Sequence, residues 1–450
     1  MKNKKILRPY QRNGVIYGLK TQHPFLAWEM RLGKTLTCIR TIKIQYGIKK
    51  ILVVGPFSAI HSWIEELQDE GENHIFLYGT REVRVNQLKE ALDYDSGRLW
   101  VLINKEGHFA LPEIAGENWD AVVWDESIFI ANEKAQTTQF YVKHFRTIKH
   151  RWALCGTPAS ETPLQWYNQL RWLDYNLVDK RGFYAFRNKF FDQDRFEWVI
   201  NTDGEKYLTY KLDKYVSILK RQNVNLGGAK IREIKYVELP SALRKPYNEL
   251  VEFFRFTYNK ETHGSIYATQ QYLWLRKFCT GFNQELHIEY THKCDVLHEI
   301  LQTELKNEPV VVWCHFLDDV FGLYHYLRKR KYKVQFITGL DKVHIREERR
   351  QQFQNGKIQV LIILTQTMSF SAKLSKAAAL IYFSHNPSGK IRIQSEDRHL
   401  KPESKDSLLI IDLICIDTIE EKILQGYDKR LIKSAGVDWM LRAIQGRIIK

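Results

Sequence analysis

The residues Glu29-Met30-Arg31-Leu32-Gly33-Lys34-Thr35 stand between a short apolar run, Phe25 to Trp28, and an apolar-periodic stretch that begins at Leu36. A glycine-containing turn between a strand and a helix points backbone N–H groups, and the positive end of the helix dipole, at a bound phosphate. In such a turn Met30, Arg31, Leu32 and Gly33 supply the cradle, Lys34 reaches the β- and γ-phosphates of ATP, and Thr35 holds Mg2+. Trp28 occupies the place where the usual phosphate loop has its first glycine, so a chance Gly-Lys-Thr at a helix start is the competing reading. Further along, the apolar run Val122-Val123-Trp124 is followed directly by Asp125, Glu126 and Ser127. Nucleotide-driven motors need one carboxylate for the metal and one to activate water, which assigns Asp125 to Mg2+ and Glu126 to the base. An adjacent Asp-Glu pair is more often a solvated loop, but its place after a buried strand and a Gly-Lys-Thr turn favours the chemical reading.

These groups need a scaffold, and the hydrophobic pattern describes one. Apolar runs rich in β-branched residues recur at Ile51 to Val54, Trp100 to Ile103, Ala121 to Trp124 and Trp152 to Leu154, with helical spacing between them. That alternation predicts a parallel sheet covered on both faces. It returns at Val310 to Trp313, Val334 to Ile337, Ile358 to Leu364, Ala379 to Phe383 and Leu408 to Leu413. The expected fold is therefore α/β, with one sheet-bearing lobe over residues 1–165 and a second over 233–450 that ends in a basic helical tail containing Arg442, Arg447 and Lys450. Residues 166–232 lack the strand rhythm and are rich in rings and cations, among them Phe183, Tyr184, Phe186, Arg187, Phe190, Phe191, Arg195 and Trp198. They predict a mostly helical insertion and linker, with Asn225 to Gly228 as a turn.

Composition narrows the partners. The formal net charge is +16, a surplus that draws polyanions by releasing counterions from their phosphates, although a merely basic protein would show the same figure. The six cysteines, Cys38, Cys155, Cys279, Cys294, Cys314 and Cys415, form no CxxC pair and argue against a zinc site or a disulfide framework. The basic start has no apolar core after it, and runs such as Leu408 to Ile411 are too short to span a bilayer. A cytoplasmic protein with no membrane partner is expected.

The order of motifs resembles the Swi/Snf-like branch of the superfamily 2 DNA helicases, most closely the compact bacteriophage helicases that branch-migrate or reverse forks, and the resemblance covers nearly the whole chain. Leu7-Arg8-Pro9-Tyr10-Gln11 resembles the Q motif, which implies Gln11 as the adenine reader. Val54-Gly55-Pro56 with Ser62-Trp63 resembles motif Ia, and Cys155-Gly156-Thr157-Pro158 resembles motif III, in which Gly156, Thr157 and Pro158 would couple hydrolysis to movement. Val311 to Phe316 resembles motif IV, Thr365 to Ala377 occupies the place of motif V, and Gln394-Ser395-Glu396-Asp397-Arg398 resembles motif VI. The resemblance implies two RecA-like lobes, ATP and Mg2+ as cofactors, and Arg398 as an arginine finger with Gln394 beside it and Lys401 following. Such fingers are worth about 10³ to 10⁵ in rate. It also implies Ser58, His61, His315, Thr367 and Lys373 as DNA contacts. This chain departs from the pattern at Ile128 for a usual histidine, at Arg31 for a glycine, at Met368 to Leu374 for a glycine-rich run, and at Lys401 for an arginine. These changes bear on the coupling between ATP and DNA.

The resemblance implies a motor that unwinds or branch-migrates forked, branched or duplex DNA in a bacterial host cytoplasm. Two other readings stand beside it: a duplex translocase that leaves strands paired, and a DNA-binding scaffold with a weakened ATP site. The rings of the 166–232 segment could stack on unpaired bases at a junction, but rings at helical spacing are more often buried.

Overall fold

The computed structural model describes residues 5–159, 162–194, 197–224, 230–264, 267–367, 374–399 and 407–427. Lys373, Lys401, the Asn225 to Gly228 turn and the tail beyond Tyr427 lie outside the described residues. The chain divides between Asn225 and Leu226 into two compact units, each built on its own sheet.

In the first unit, strands β1 (Phe25–Trp28), β2 (Lys50–Gly55), β3 (Asn73–Phe76), β4 (Leu99–Asn104), β5 (Ala121–Asp125), β6 (His150–Leu154) and β7 (Val216–Leu219) form one sheet in the order β3-β4-β2-β5-β6-β1-β7. Every neighbouring pair runs parallel. The inner strands are buried along their length because helices cover both faces, which is why they read as continuous apolar runs rather than as alternation.

The second unit repeats the plan with β8 (Lys230–Val237), β9 (Val310–Cys314), β10 (Val334–Ile337), β11 (Val360–Leu364), β12 (Ala379–Tyr382) and β13 (Leu408–Cys415). Their order is β8-β13-β12-β9-β11-β10, again parallel throughout. The fold is α/β, two RecA-like lobes of parallel sheet flanked by helices.

The segment 166–232 is not a separate body. Helix Trp166–Leu173 is bound to β6: the buried Arg151 donates to the carbonyls of Trp172 and Leu173, and Trp172 Nε1 donates to Trp152 O at 3.0 Å. Phe186, Phe190 and Phe191 are buried within the core of the first unit, and the following chain adds β7 to that unit's sheet. An antiparallel hairpin, Phe191–Asp194 with Glu197–Ile200, interrupts the helices. The second unit starts at β8, earlier than the expected residue 233, because the apolar positions of Lys230–Val237 are diluted by the charges of an edge strand.

Two helices carry candidate site residues of the first unit, α1 (Pro9–Lys20) and α2 (Lys34–Ile44). Gly14 and Gly18, one turn apart on α1, let it lie close against its neighbours. A Cβ on Gly14 would come within 2.3 Å of the Trp28 ring, and one on Gly18 within 2.6 Å of the Trp152 ring. Gly14→Val is therefore expected to destabilise the first unit by about 1–3 kcal/mol through overpacking, read as a lower urea midpoint for that transition. An unchanged midpoint would show that α1 does not sit on Trp28.

Candidate active site

The candidate residues of the first unit gather at the C-terminal ends of β1, β5 and β6, where open parallel sheets present their ligand sites. Leaving β1, the chain turns through Arg31 and Gly33, both left-handed, with φ of 66° and 77°. Gly33 then caps α2 from that left-handed conformation, and its carbonyl accepts from Thr37 Oγ1 at 2.9 Å. A side chain at 33 would strike Gln11 Nε2, which lies 2.1 Å from the position of such a Cβ. The glycine is thus required twice, by its backbone angle and by the approach of α1. At Arg31 the chain accepts the strain of a left-handed L-residue where the resembling family has glycine.

Gln11 is buried at the foot of α1. Its Nε2 donates to Leu32 O at 3.3 Å, and its Oε1 accepts from the Arg8 backbone N–H at 2.9 Å. A side chain expected to read adenine is thus seen to brace the 29–33 turn. Lys34 lies half-buried, its Nζ donating to Trp28 O at 2.9 Å and reaching Glu29 O at 3.4 Å. Glu29 in turn accepts from the Arg221 backbone N–H at 2.9 Å through Oε2, so the phosphate turn is tied to the chain that leaves β7.

Asp125 ends β5, buried, with Oδ2 accepting from Trp63 Nε1 at 2.8 Å and Oδ1 from the Glu126 backbone N–H at 2.9 Å. Burial, and then the adjacent Glu126 carboxylate, push its carboxyl up to about 6 against the opposing pull of Lys34 and the Trp63 hydrogen bond. A carboxylate this short of compensation favours an added cation. Gly55, at the end of β2, leaves room beside it; a Cβ there would lie 3.3 Å from Asp125 Cβ. Glu126 has left-handed backbone, φ 53°, and its Oε2 accepts from Cys155 Sγ at 3.8 Å. Thr35 is half-buried in the first turn of α2.

The loop Gly156-Thr157-Pro158 follows β6 and abuts the phosphate turn. A Cβ on Gly156 would lie 3.1 Å from Met30 Cγ and 3.8 Å from Lys34 Nζ. Lys34, Asp125, Glu126, Gln11 and this loop are therefore brought together from distant parts of the chain. Trp63 was read from sequence only as part of motif Ia; its indole hydrogen bond to Asp125 is a tertiary fact without a sequence signal. His61 is exposed on helix Phe57–Asp69, one turn from Phe57, whose ring lies 4.9 Å away. The backbone of Ser58 belongs to that same helix.

In the second unit, helix Gly389–Asp397 carries Gln394, half-buried, and ends at Arg398. A buried charge cluster fixes this helix. Arg392 pairs with Asp412 through two hydrogen bonds, 2.5 and 2.9 Å, and with Glu396 at 2.7 Å. Glu396 also receives Arg232 at 2.7 and 2.8 Å and Lys230 at 3.0 Å from β8. Burial raises the Glu396 carboxyl, but Arg392, Lys230 and Arg232 outweigh it and hold it at about 2. Arg398 caps the helix, its carbonyl accepting from Leu374 N at 3.3 Å.

Of the two expected DNA contacts described in this unit, His315 is half-buried and Thr367 is buried. His315 Nδ1 lies 3.1 Å from Thr365 Oγ1, and burial, with Arg276 and His385 nearby, lowers its imidazole to about 3. It is neutral at physiological pH and offers phosphate no charge. Thr367 is buried and its hydroxyl donates to the Leu364 carbonyl. Both side chains brace the ends of β9 and β11. Among the described residues, no helix is long and apolar enough to cross a membrane.

Residues 10–283 match the family model described as the SNF2-related domain, and residues 292–401 match the helicase conserved C-terminal domain. Among curated proteins, the chain is similar to the ISWI chromatin-remodeling complex ATPase ISW1 of Saccharomyces cerevisiae, 24% identical over 94% of this chain and 40% of that protein. It is also similar to the human DNA annealing helicase and endonuclease ZRANB3, 25% identical over 55% of this chain and 24% of that protein. The chain thus spans less than half the length of either. A solved structure, the Sulfolobus solfataricus SWI2/SNF2 ATPase core in complex with dsDNA, is 20% identical, with 94% of this chain and 90% of that one covered and a TM-score of 0.46.

A metal-binding carboxylate must be deprotonated, so protons and Mg2+ would compete at Asp125 if it takes the metal that the sequence assigns to it. Because its carboxyl is raised to about 6, the carboxylate form prevails above that pH and is lost below it. The Mg2+ concentration for half-maximal ADP binding is expected to rise below about pH 6 more steeply in the parent than in Asp125→Asn, since the ADP phosphate titrates alike in both. Calorimetric titration from about pH 8 down to pH 5 checks this; identical slopes in the two proteins would remove Asp125 from the metal site.

Proposed function

We propose, from the premise that this chain belongs to the SNF2-related domain family, that it is a DNA-dependent ATPase that unwinds or branch-migrates forked and junction DNA. The observation that carries this reading is the grouping of Lys34, Asp125 and Glu126 at the ends of β1 and β5, with the buried Asp125 under the field of Lys34. The match of a second domain model to residues 292–401 supports a paired-lobe motor. The name of one relative, a DNA annealing helicase, favours work on the pairing of DNA strands.

The roles follow from the chemistry. The N–H groups of the 29–33 turn and the Lys34 ammonium bind the β- and γ-phosphates. The donor set of Thr35 hydroxyl and Asp125 carboxylate suits a hard, oxygen-seeking cation, and Mg2+ held there neutralises phosphate charge. Glu126 orients the attacking water and takes its proton, while Gln11 holds the adenine. Arg398 supplies the cation that stabilises charge on the transferred phosphoryl group. DNA is gripped chiefly by phosphate contacts, in keeping with the net charge of +16, so binding falls steeply with salt and is largely blind to sequence.

Lys34→Ala is expected to abolish DNA-stimulated ATP turnover while leaving DNA binding intact, and full turnover in that variant would refute the phosphate assignment. Glu126→Gln should bind ATP and accumulate the ATP-bound form; normal multiple turnover would exclude Glu126 as the base. The similarity to an ATPase whose name gives chromatin remodeling rather than a helicase activity leaves room for a second reading, translocation along intact duplex. Strand separation on fork and four-way DNA, run beside triplex displacement, divides the two. A motor that strips the third strand but leaves forks paired is a translocase.

A further inference from the structure

Between the Asp125-Glu126 strand end and the Gly156-Thr157-Pro158 loop lies a side chain that no motif includes. Gln169, on helix Trp166–Leu173, is fully buried. Its Oε1 accepts from Ser127 Oγ at 2.6 Å, and its Nε2 donates to Pro158 O at 2.5 Å and to Gln165 O at 2.8 Å. Ser127 is fully buried too. Both amide protons and the amide oxygen are engaged, which settles the orientation of the group: turned over, it would set its oxygen against two carbonyls. In a dry interior such a bridge is stiff, because releasing either end strands a polar group away from water.

What the bridge holds is specific. Ser127 follows Glu126 directly, and Pro158 ends the loop whose Gly156 lies against Met30 and Lys34. The side chain of the next residue, Ile128, is buried and apolar and can make no hydrogen bond across this gap. We propose that Gln169 is a positioning residue for ATP hydrolysis: by fastening Ser127 to Pro158 it fixes the left-handed Glu126 backbone relative to the 156–158 loop, and so the place of the base relative to the phosphates. This inference rests on the reading of the site as an ATPase centre.

Placement errors near 1 Å at a reacting group cost on the order of 10²-fold in rate. Ser127→Ala and Gln169→Leu are each expected to lower kcat about 10- to 100-fold with the KM for ATP within about twofold of the parent. The double variant should be no slower than the slower single, since one bridge is broken only once. Steady-state ATP turnover with duplex DNA, paired with thermal midpoints, reads this out. Unchanged kcat in the folded singles overturns the proposal. So does a loss in which KM rises along with the fall in kcat, the sign of general loosening, and so do single losses that multiply in the double. Should Gln169→Leu fail to fold, Ser127→Ala decides alone, because it leaves the helix and its packing untouched. Lys34→Ala is run beside them. Turnover persisting there defeats the assignment of the Lys34 and Asp125 cluster as the ATPase centre, whereas its loss there together with parental kcat in Ser127→Ala defeats only the bridge.

Discussion

A carboxylate removed from water must recover its lost hydration from its neighbours, and most of the first unit's site can be read as that recovery at Asp125. The strand that ends there is buried on both faces, so the side chain emerges into protein rather than solvent. One indole N–H, one backbone N–H and the field of Lys34 compensate it in part, and the carboxyl remains raised to about 6. A site left short of positive charge in this way is prepared for a cation. The glycine at 33, the tight approach of α1 and the loop at 156–158 follow, since each sets how near Lys34 and the phosphate turn come to that strand end.

The second unit solves the opposite problem. Around its helix Gly389–Asp397 the buried charges are paired: Arg392 lies between Asp412 and Glu396, and Glu396 gathers Arg232 and Lys230 from the first residues of β8. Breaking such a cluster at one member strands the rest, which typically costs about 3–5 kcal/mol. A helix fixed at this strength keeps its C-terminal end, and with it the backbone of Arg398, in one place. Lys293, wholly buried and bonded to both oxygens of Glu420 and to two strand-end carbonyls, secures the far side of the same sheet in the same manner.

Burial also redistributes the aromatic residues. Rings at helical spacing between Trp166 and Trp198 are consistent with either stacking on bases or filling a core. Phe186, Phe190 and Phe191 fill the core of the first unit, while Tyr184 stays exposed and the Arg187 guanidinium stands 3.9 Å over the half-buried Trp198 ring. The segment is therefore first of all a structural flank of the sheet, ended by a strand that joins it.

Sequence alone determined much of this. The run at Phe25 to Trp28 coincides with β1, and most other inner strands were legible to within a residue or two, because a parallel strand buried on both faces must be continuously apolar. The Gly-Lys-Thr turn and the Asp-Glu pair stood out because each expected role, toward phosphate or metal, asks for residue types at short spacing. Only the tertiary structure decided where residues 166–224 belong, since β3, β7 and β8 are short, edge-placed or diluted by charge and carry little apolar signal. It alone showed His315 as a neutral brace, and it alone joined Trp63 to Asp125 and Ser127 to Pro158 through Gln169. Those contacts link residues far apart in the chain, and a hydrogen bond between buried side chains leaves no periodicity behind. Local chemistry is written in local order, whereas the environment that tunes a charge is assembled only when distant segments pack.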